Sequence, residues 1–328
     1  MRILALVLAA ALTASLYSTR AVAEEVILRA IASLPTTNDF TKRFLAYINK
    51  VNESGKNIVR INFVGGPEAI PPQQQDTALR NGVFDVQGGP ASYYLGTVPE
   101  ASALKGANVS PAEIRKNGAF VQLEEIWKRR LNVKLVGWTG GGVQFYIYLK
   151  SEPKLTDQQV VDLRGIRLRS VPTYRAWFER LGATAVTMEA SDIFTGLERG
   201  VVDGLGWPAI SFVDLGIQRF VKYRVGPPVW QNDAVIIVNQ ARWDALSPQA
   251  KDVLTRAAID LENENQKVYA EQIRAEENAL KQAGVILYEL PGAAAKKHVD
   301  IAHTLVWDDL ARASAAAARD LRPKMYKE

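Results

Sequence analysis

The sequence predicts an α/β protein of two lobes, with a ligand cleft between them and one long helix spanning both. Three observations predict it. Strand, helix and strand alternate from residue 26 onward, two segments of like pattern recur 118 residues apart (Leu79 to Leu197), and 35 consecutive residues, 249–283, hold neither Gly nor Pro.

The elements follow in order. Val26-Ile27-Leu28-Arg29-Ala30-Ile31 is a short β-rich run, and Thr37-Asn38-Asp39 supplies capping residues ahead of Phe40, Phe44, Leu45 and Ile48, which recur at helical spacing. Val59 to Val64 alternates and stops at Gly65-Gly66-Pro67. Strand, helix and strand in succession imply a parallel sheet with crossover helices. The middle repeats the pattern: Val133–Trp138 and Gln144–Leu149 read as strands, Thr156-Asp157-Gln158-Gln159 as a capping box that opens a helix, and Ile166–Arg169 as a further strand.

The like segments are Leu79-Arg80-Asn81-Gly82-Val83-Phe84-Asp85-Val86 and Leu197-Glu198-Arg199-Gly200-Val201-Val202-Asp203-Gly204. Each puts a Gly after a helical stretch and a β run after the Gly, and each leads to a Gly-x-Pro turn, Gly88-Gly89-Pro90 and Gly206-Trp207-Pro208. Ligands of open α/β sheets bind beyond the carboxyl ends of the strands, so the two turns are expected to face each other across the cleft. The Gly- and Pro-free stretch starts after Ser247-Pro248 and stops at Gly284, which makes it one helix of about 50 Å, longer than a lobe. Its stripe of Leu254, Leu261, Val268, Tyr269, Ile273 and Leu280 is expected to lie along both lobes. A strand from Val285 to Leu290 and one Ala-rich helix from about Ala293 to Arg319 complete the chain, with His298 and His303 on that helix as surface or packing residues.

The start of the chain reads as a secretory signal peptide, residues 1–23: Arg2, an apolar run from Ile3 to Leu12, and an Ala21-Val22-Ala23 cleavage site. The run is too short to span a bilayer, so export to the periplasm and cleavage near Ala23 are expected. Lobe I is then placed at 24–146 plus 233–272 and lobe II at 147–232 plus 273–328.

Composition excludes several classes of chemistry. Of 328 residues 48% are hydrophobic and 23% charged, and 40 Lys and Arg stand against 35 Asp and Glu. Without Arg2 and Arg20 the surplus is 38 against 35, or three, spread with no basic block, which argues against nucleic acid as a partner. The absence of Cys removes disulfides, thiolate metal sites and cysteine nucleophiles. Gly-x-Ser-x-Gly, the phosphate-binding Gly-x4-Gly-Lys-Ser/Thr, His-Glu-x-x-His and the dinucleotide Gly-x-Gly-x-x-Gly do not occur. A cleft with seven Trp and eleven Tyr in the chain suits capture of a ligand better than turnover. An exported hydrolase built on carboxylates is the competing class, since Asp and Glu are plentiful, although no pair stands out.

The block Asp162-Leu163-Arg164-Gly165-Ile166-Arg167-Leu168-Arg169, followed by Leu181-Gly182-Ala183 and by Leu197 to Pro208, resembles the substrate-binding subunits of TRAP transporters, the DctP-type periplasmic solute-binding family. The resemblance implies a two-lobed periplasmic binding protein fold that closes on an organic acid and delivers it to a membrane permease, with no enzymatic activity and no required cofactor. Such a receptor is a monomer or a dimer. A binding protein for another carboxylate, or one serving another transporter class, is the alternative within transport.

The chain is further similar to the branch of that family that takes 2-oxo and 2-hydroxy acids with a cation. Gln144, Arg169, Trp207 and Asp233 stand at positions matching that branch's ligand shell, Tyr93 in Ser92-Tyr93-Tyr94 matches a ligand-contacting Tyr, and Asn38 joins them as a candidate contact. Alternation puts Arg167 and Arg169 on one face of their strand, so spacing does not choose between them; the family match selects Arg169 as the carboxylate clamp. The same match implies a Ca²⁺ or Na⁺ ion held by Gln144, the Trp207 carbonyl and Asp233. Asp233 stands where that branch more often has the longer Glu. Without a cation, Gln144 bonds the ligand directly, Asp233 caps a loop and Trp207 stacks.

Overall fold

The computed structural model describes residues 24–327, and the expected leader lies outside them. The strands in chain order are β1 (Val26–Ala32), β2 (Val59–Gly65), β3 (Val86–Pro90), β4 (Val133–Trp138), β5 (Phe145–Leu149), β6 (Lys154–Leu155), β7 (Val161–Asp162), β8 (Arg167–Ser170), β9 (Thr184–Thr187), β10 (Gly204–Pro208), β11 (Tyr223–Val229), β12 (Ala234–Asn239) and β13 (Ile286–Glu289). The longer helices are α1 (Asp39–Ser54), α2 (Ala119–Leu131), α3 (Pro248–Gln282), α4 (Gly292–Ala313) and α5 (Ala315–Met325).

Two sheets form the lobes, ordered β2-β1-β3-β12-β4 and β13-β11-β5-β10-β8-β9. In the first, β1 runs parallel to β2 and β3, and β12 pairs antiparallel with β3 and β4. The second repeats this: β8 is parallel to β9 and β10, and β5 is antiparallel to β10 and β11. Each sheet thus borrows one strand from the other half of the chain, β12 in the first and β5 in the second. The borrowing makes the chain cross between lobes at 139–144 and again at 230–233.

The like segments occupy equivalent places. A short helix, Gln75–Arg80 or Ile193–Glu198, is followed by Gly82 or Gly200 at positive φ and then by the central strand β3 or β10. The left-handed conformation turns the chain from helix into strand there, and only Gly adopts it without penalty. β3 and β10 end in the two Gly-x-Pro turns, and Pro90, Trp207 and Pro208 line one cavity.

α3 covers the expected stretch, with Ser247 accepting the Ala250 amide as its cap. Its Leu254, Ala258 and Leu261 sit in the core under the first sheet, and Tyr269 and Leu280 in a core of the second. α4 crosses too, through Ala294, Ala302 and Val306 on the second lobe and Trp307 and Leu310 in the core of the first.

Three expectations differ. The Ala-rich C-terminal helix is two helices, broken at Ser314, whose backbone is extended (φ −157°, ψ 82°); the bend carries Leu321 and Met325 into the first lobe's core. The lobe limits shift as well. The last residues, expected in lobe II, pack on lobe I, and Phe145 and Tyr146, expected in lobe I, belong to β5 of the second sheet. Thr156 to Gln159 opens no helix, because the segment is the turn between β6 and β7: Gln159 has φ 59°, and Thr156 accepts the Val160 amide through Oγ1.

Candidate functional site

The cavity between the carboxyl ends of the two sheets measures about 310 Å³, at the small end of ligand pockets. Arg169, Trp207, Tyr93, Asp233 and Asn38 all line it. Gln144 does not join them. It lies half-buried just ahead of β5, its carbonyl accepts the Ala209 amide, and strand alternation presents Phe145 to the cavity instead.

Arg169 comes from the end of β8, where the strand stops and the chain leaves the sheet. It is 3% exposed, its Nε donates to the Met188 carbonyl at 2.8 Å, and it forms no salt bridge with any described residue. Burial pulls its pKa down from 12.5. The bond to Met188 fixes the plane of the guanidinium, with both terminal nitrogens left as donors and the Trp207 ring 5.6 Å away. A buried, oriented guanidinium without a protein counter-ion is a fork awaiting a carboxylate. Arg167 takes the bland role, paired at 2.9 Å with Asp203 on the surface.

The other walls are built by different elements. Asn38 caps α1, its Oδ1 accepting the Phe40 amide, and its amide nitrogen remains as a donor for a ligand. Tyr93 follows β3; burial raises its phenol to about 12, and it lies within electrostatic reach of both Arg169 and Asp233. It is a neutral hydrogen-bonding group. Leu34, Phe40, Phe145, Val171 and Leu215 supply apolar surface. Asp233, 2% exposed, closes the crossover into β12 and accepts the Ser92 amide on Oδ2 at 2.7 Å. Its carboxyl is raised by burial, against the opposing pull of Lys105 and Ser92.

The lobes touch across the cleft. The Ser92 and Thr173 hydroxyls meet at 2.8 Å, Lys105 donates to the Thr173 carbonyl at 3.0 Å, and Ser211 donates to Asp39 at 2.6 Å. Sequence reasoning missed Ser92, Thr173 and Lys105. Lys105 had a signal, as a lone charge among small apolar residues from Ala101 to Ala107; the two hydroxyls had none. Both histidines are packing groups: His298 is buried against Trp177, and His303 lies 3.2 Å from the Gly106 carbonyl.

The expected cation shell is not assembled. Of its three members Trp207 and Asp233 line the cavity and Gln144 does not, and among the described residues no group of three His, Cys, Asp or Glu could hold a metal ion. Asp233 already accepts an amide and lies within electrostatic reach of the ammonium of Lys105. The donor set does not fit a resident cation.

Two α/β lobes joined by crossing strands, with an orienting guanidinium in the cleft, define a ligand-binding protein of the two-lobed class. The match to the family of bacterial extracellular solute-binding proteins, family 7 (DctP), runs over residues 125–312, more than half of the chain, and the chain belongs to that family. A 2,3-diketo-L-gulonate-binding periplasmic protein of Escherichia coli is 28% identical over 38% of this chain and 38% of its own length. A monocarboxylate 2-oxoacid-binding periplasmic protein of a Nostoc species is 22% identical over 64% of this chain and 59% of its own. The chain therefore spans less than two thirds of these curated relatives. Among solved structures, a TRAP transporter solute-binding protein of Bordetella bronchiseptica, described with copurified calcium and picolinate, superposes with TM-score 0.77 at 20% identity, covering 92% of this chain and 91% of that one. A pyroglutamic acid receptor of Bordetella pertussis gives TM-score 0.76 at 17% identity over 92% and 100%. These likenesses establish the two-lobed fold. Among the described residues no helix is long and apolar enough to cross a membrane.

Proposed function

We propose that this chain is the extracytoplasmic receptor of a TRAP transporter, capturing a small 2-oxo or 2-hydroxy monocarboxylate and handing it to the membrane permease. The observation that carries the reading is Arg169, buried in the interlobe cavity with its fork unpaired. It is the only cation among the lining residues, which also include Asp214 and Asp233. One carboxylate is thereby matched, while a second would meet acids, and the apolar walls accept the rest of the molecule. Picolinate and pyroglutamic acid, the ligands named for two neighbours, likewise carry one carboxylate beside a heteroatom. Trp207, Tyr93 and Asn38 complete the ligand shell in this reading, and Asp233 faces the atom next to the carboxylate. The leader, removed near Ala23, sends the protein to the periplasm. The assignment includes no turnover.

The test is calorimetry with monocarboxylates chosen from a thermal-shift screen, on the wild type and on Arg169→Lys. A point charge in place of the fork loses a hydrogen bond to a charged group, a loss of tenfold or more at roughly 1.5–3 kcal/mol. Unchanged affinity in the Lys variant removes Arg169 from the site.

A further inference from the structure

Lys105 is a charge the cavity's apparent chemistry does not use. It belongs to the short helix Ser102–Gly106 of the first lobe and is 7% exposed. Its ammonium makes one hydrogen bond, to the Thr173 carbonyl at 3.0 Å, and lies 4.4 Å over the Trp230 ring. It forms no salt bridge with any described residue. Asp309, one acid within electrostatic reach, is engaged by Arg312. Asp233 is the other.

Geometry ties Lys105 to Asp233 twice. Thr173, which receives the ammonium, meets the Ser92 hydroxyl at 2.8 Å, and the Ser92 amide holds Asp233 Oδ2. The Gln231 amide donates to the Lys105 carbonyl at 2.9 Å, fastening this helix to the crossover that ends in Asp233. The ammonium and the carboxylate are within electrostatic reach of each other, with no direct ion pair between them, and these two tethers hold them in that relation.

We propose that Lys105 serves as the cation of this site, so that Asp233 stays ionised without a metal and accepts a hydrogen bond from a donor next to the ligand's carboxylate, selecting 2-hydroxy over 2-oxo acids. A 2-oxo oxygen can satisfy a metal but not a carboxylate, since two acceptors repel; a hydroxyl can satisfy either. Burial lowers the ammonium only to about 8, so it is charged at neutral pH, and its charge draws the Asp233 carboxyl down against burial. The inference rests on the carboxylate reading above for the placement of the acid.

The experiment uses a matched pair, 2-hydroxy-4-methylpentanoate and 4-methyl-2-oxopentanoate, titrated into the full mature protein after exhaustive chelation in Na⁺-free buffer and again with Ca²⁺ restored. A third arm titrates Ca²⁺ alone. The wild type is expected to bind the hydroxy acid at least tenfold tighter than the oxo acid, by the worth of a hydrogen bond to a charged group, unchanged by chelation, and to take up no Ca²⁺. Lys105→Met is expected to lose the hydroxy acid by tenfold or more and to recover part of it with Ca²⁺. Asp233→Asn, which keeps the shape, is expected to erase the preference between the two acids and covers the case in which the Met variant does not fold. Loss of wild-type binding on chelation, Ca²⁺ uptake by the wild type, or equal affinity for the two acids overturns the proposal. Arg169→Lys weakens both acids alike if the carboxylate reading is right. The calcium arm needs no acid and judges Lys105 even if that reading fails.

Discussion

The two halves of the molecule share a connectivity and differ in charge at equivalent positions. Arg169 pairs with Leu205, two residues before Trp207; in the first lobe Ile31 pairs with Gln87, two residues before Gly89. Where one lobe carries a guanidinium and an indole, the other carries a core isoleucine and a glycine. A Cβ on Gly89 would stand 2.4 Å from Ser33 Oγ, so the first lobe fills this place with its own side chains: Ser33 donates to Gln75 at 2.7 Å, and Gln87 reaches the same hydroxyl. Topology decides where a cleft falls, and substitutions at a few strand ends decide which lobe holds the ligand. In the function proposed above, the second lobe is the docking face and the first the cover.

The largest expected effect tests that asymmetry directly. Arg169→Ala removes both donors to the carboxylate and should cost about a hundredfold or more in affinity, at roughly 1.5–3 kcal/mol per charged hydrogen bond, whereas Ser92→Ala on the cover should cost several-fold at most. Calorimetry on the two variants decides it; equal losses would mean that the lobes share the ligand evenly.

The second effect separates the lobes by pH. His298 on α4 is 1% exposed, neither ring nitrogen has a hydrogen-bond partner among the described residues, and it packs 5.2 Å from Trp177 of the second lobe. Burial lowers its pKa from the ordinary 6.5 to about 4. Between those values the unfolded chain binds the proton and the folded one does not, so this contribution is complete above about pH 6.5 and lost as pH falls to 4. The shift corresponds to about 3 kcal/mol. Urea melts at pH 4.5 and 7 should show the loss in the wild type and a smaller one in His298→Phe. An equal loss in both would place the acid sensitivity elsewhere.

A third, smaller effect concerns the indole. Trp207→Ala leaves Arg169 without the ring beside it and opens the cavity wall, and about tenfold is expected from lost stacking and apolar contact. An effect confined to aromatic ligands would show that the ring packs on the ligand body and leaves the guanidinium alone.

The fold was legible because its signals were local and repeated. The Gly that ends each short helix, the Gly-x-Pro turn after each central strand and the uninterrupted run of α3 each declare an element without reference to the rest. The likeness to the family put Arg169, Trp207 and Asp233 at the cleft, and all three line it, from β8, from β10 and from just ahead of β12. It failed at Gln144 because one residue of register decides which side chain faces the cavity, and pattern alone does not fix register at a strand's first residue. The break at Ser314 left no mark in an Ala-rich run, since every residue around it favours helix and packing against the first lobe decides the bend. Thr156 shows the converse: a capping pattern that tertiary pairing of β6 with β7 turned into a hairpin turn. Lys105 was visible as a lone charge, yet the acid it influences, Asp233, lies 128 residues further on, and only folding brings the two within electrostatic reach.

The smallest effect separates docking from covering in time. Ser211, at φ 65°, donates its hydroxyl to Asp39 at 2.6 Å, joining the second lobe to the start of α1 beside the cavity mouth. Asp39 is independently paired with Lys42 at 2.8 Å, so removing the hydroxyl leaves the carboxylate partnered. Ser211→Ala should therefore cost only about 0.5–1.5 kcal/mol, a two- to tenfold loss of affinity. If the acid docks on Arg169 first and the first lobe closes afterwards, this contact exists only in the closed complex, and the loss must lie in the dissociation rate. Stopped-flow tryptophan fluorescence separates the two rates, since Trp207 lines the cavity. A faster release at constant association rate supports docking before covering. A slower association with unchanged release would mean that the Ser211–Asp39 contact forms before the ligand is held, and the two lobes would then have to be regarded as closing together around it.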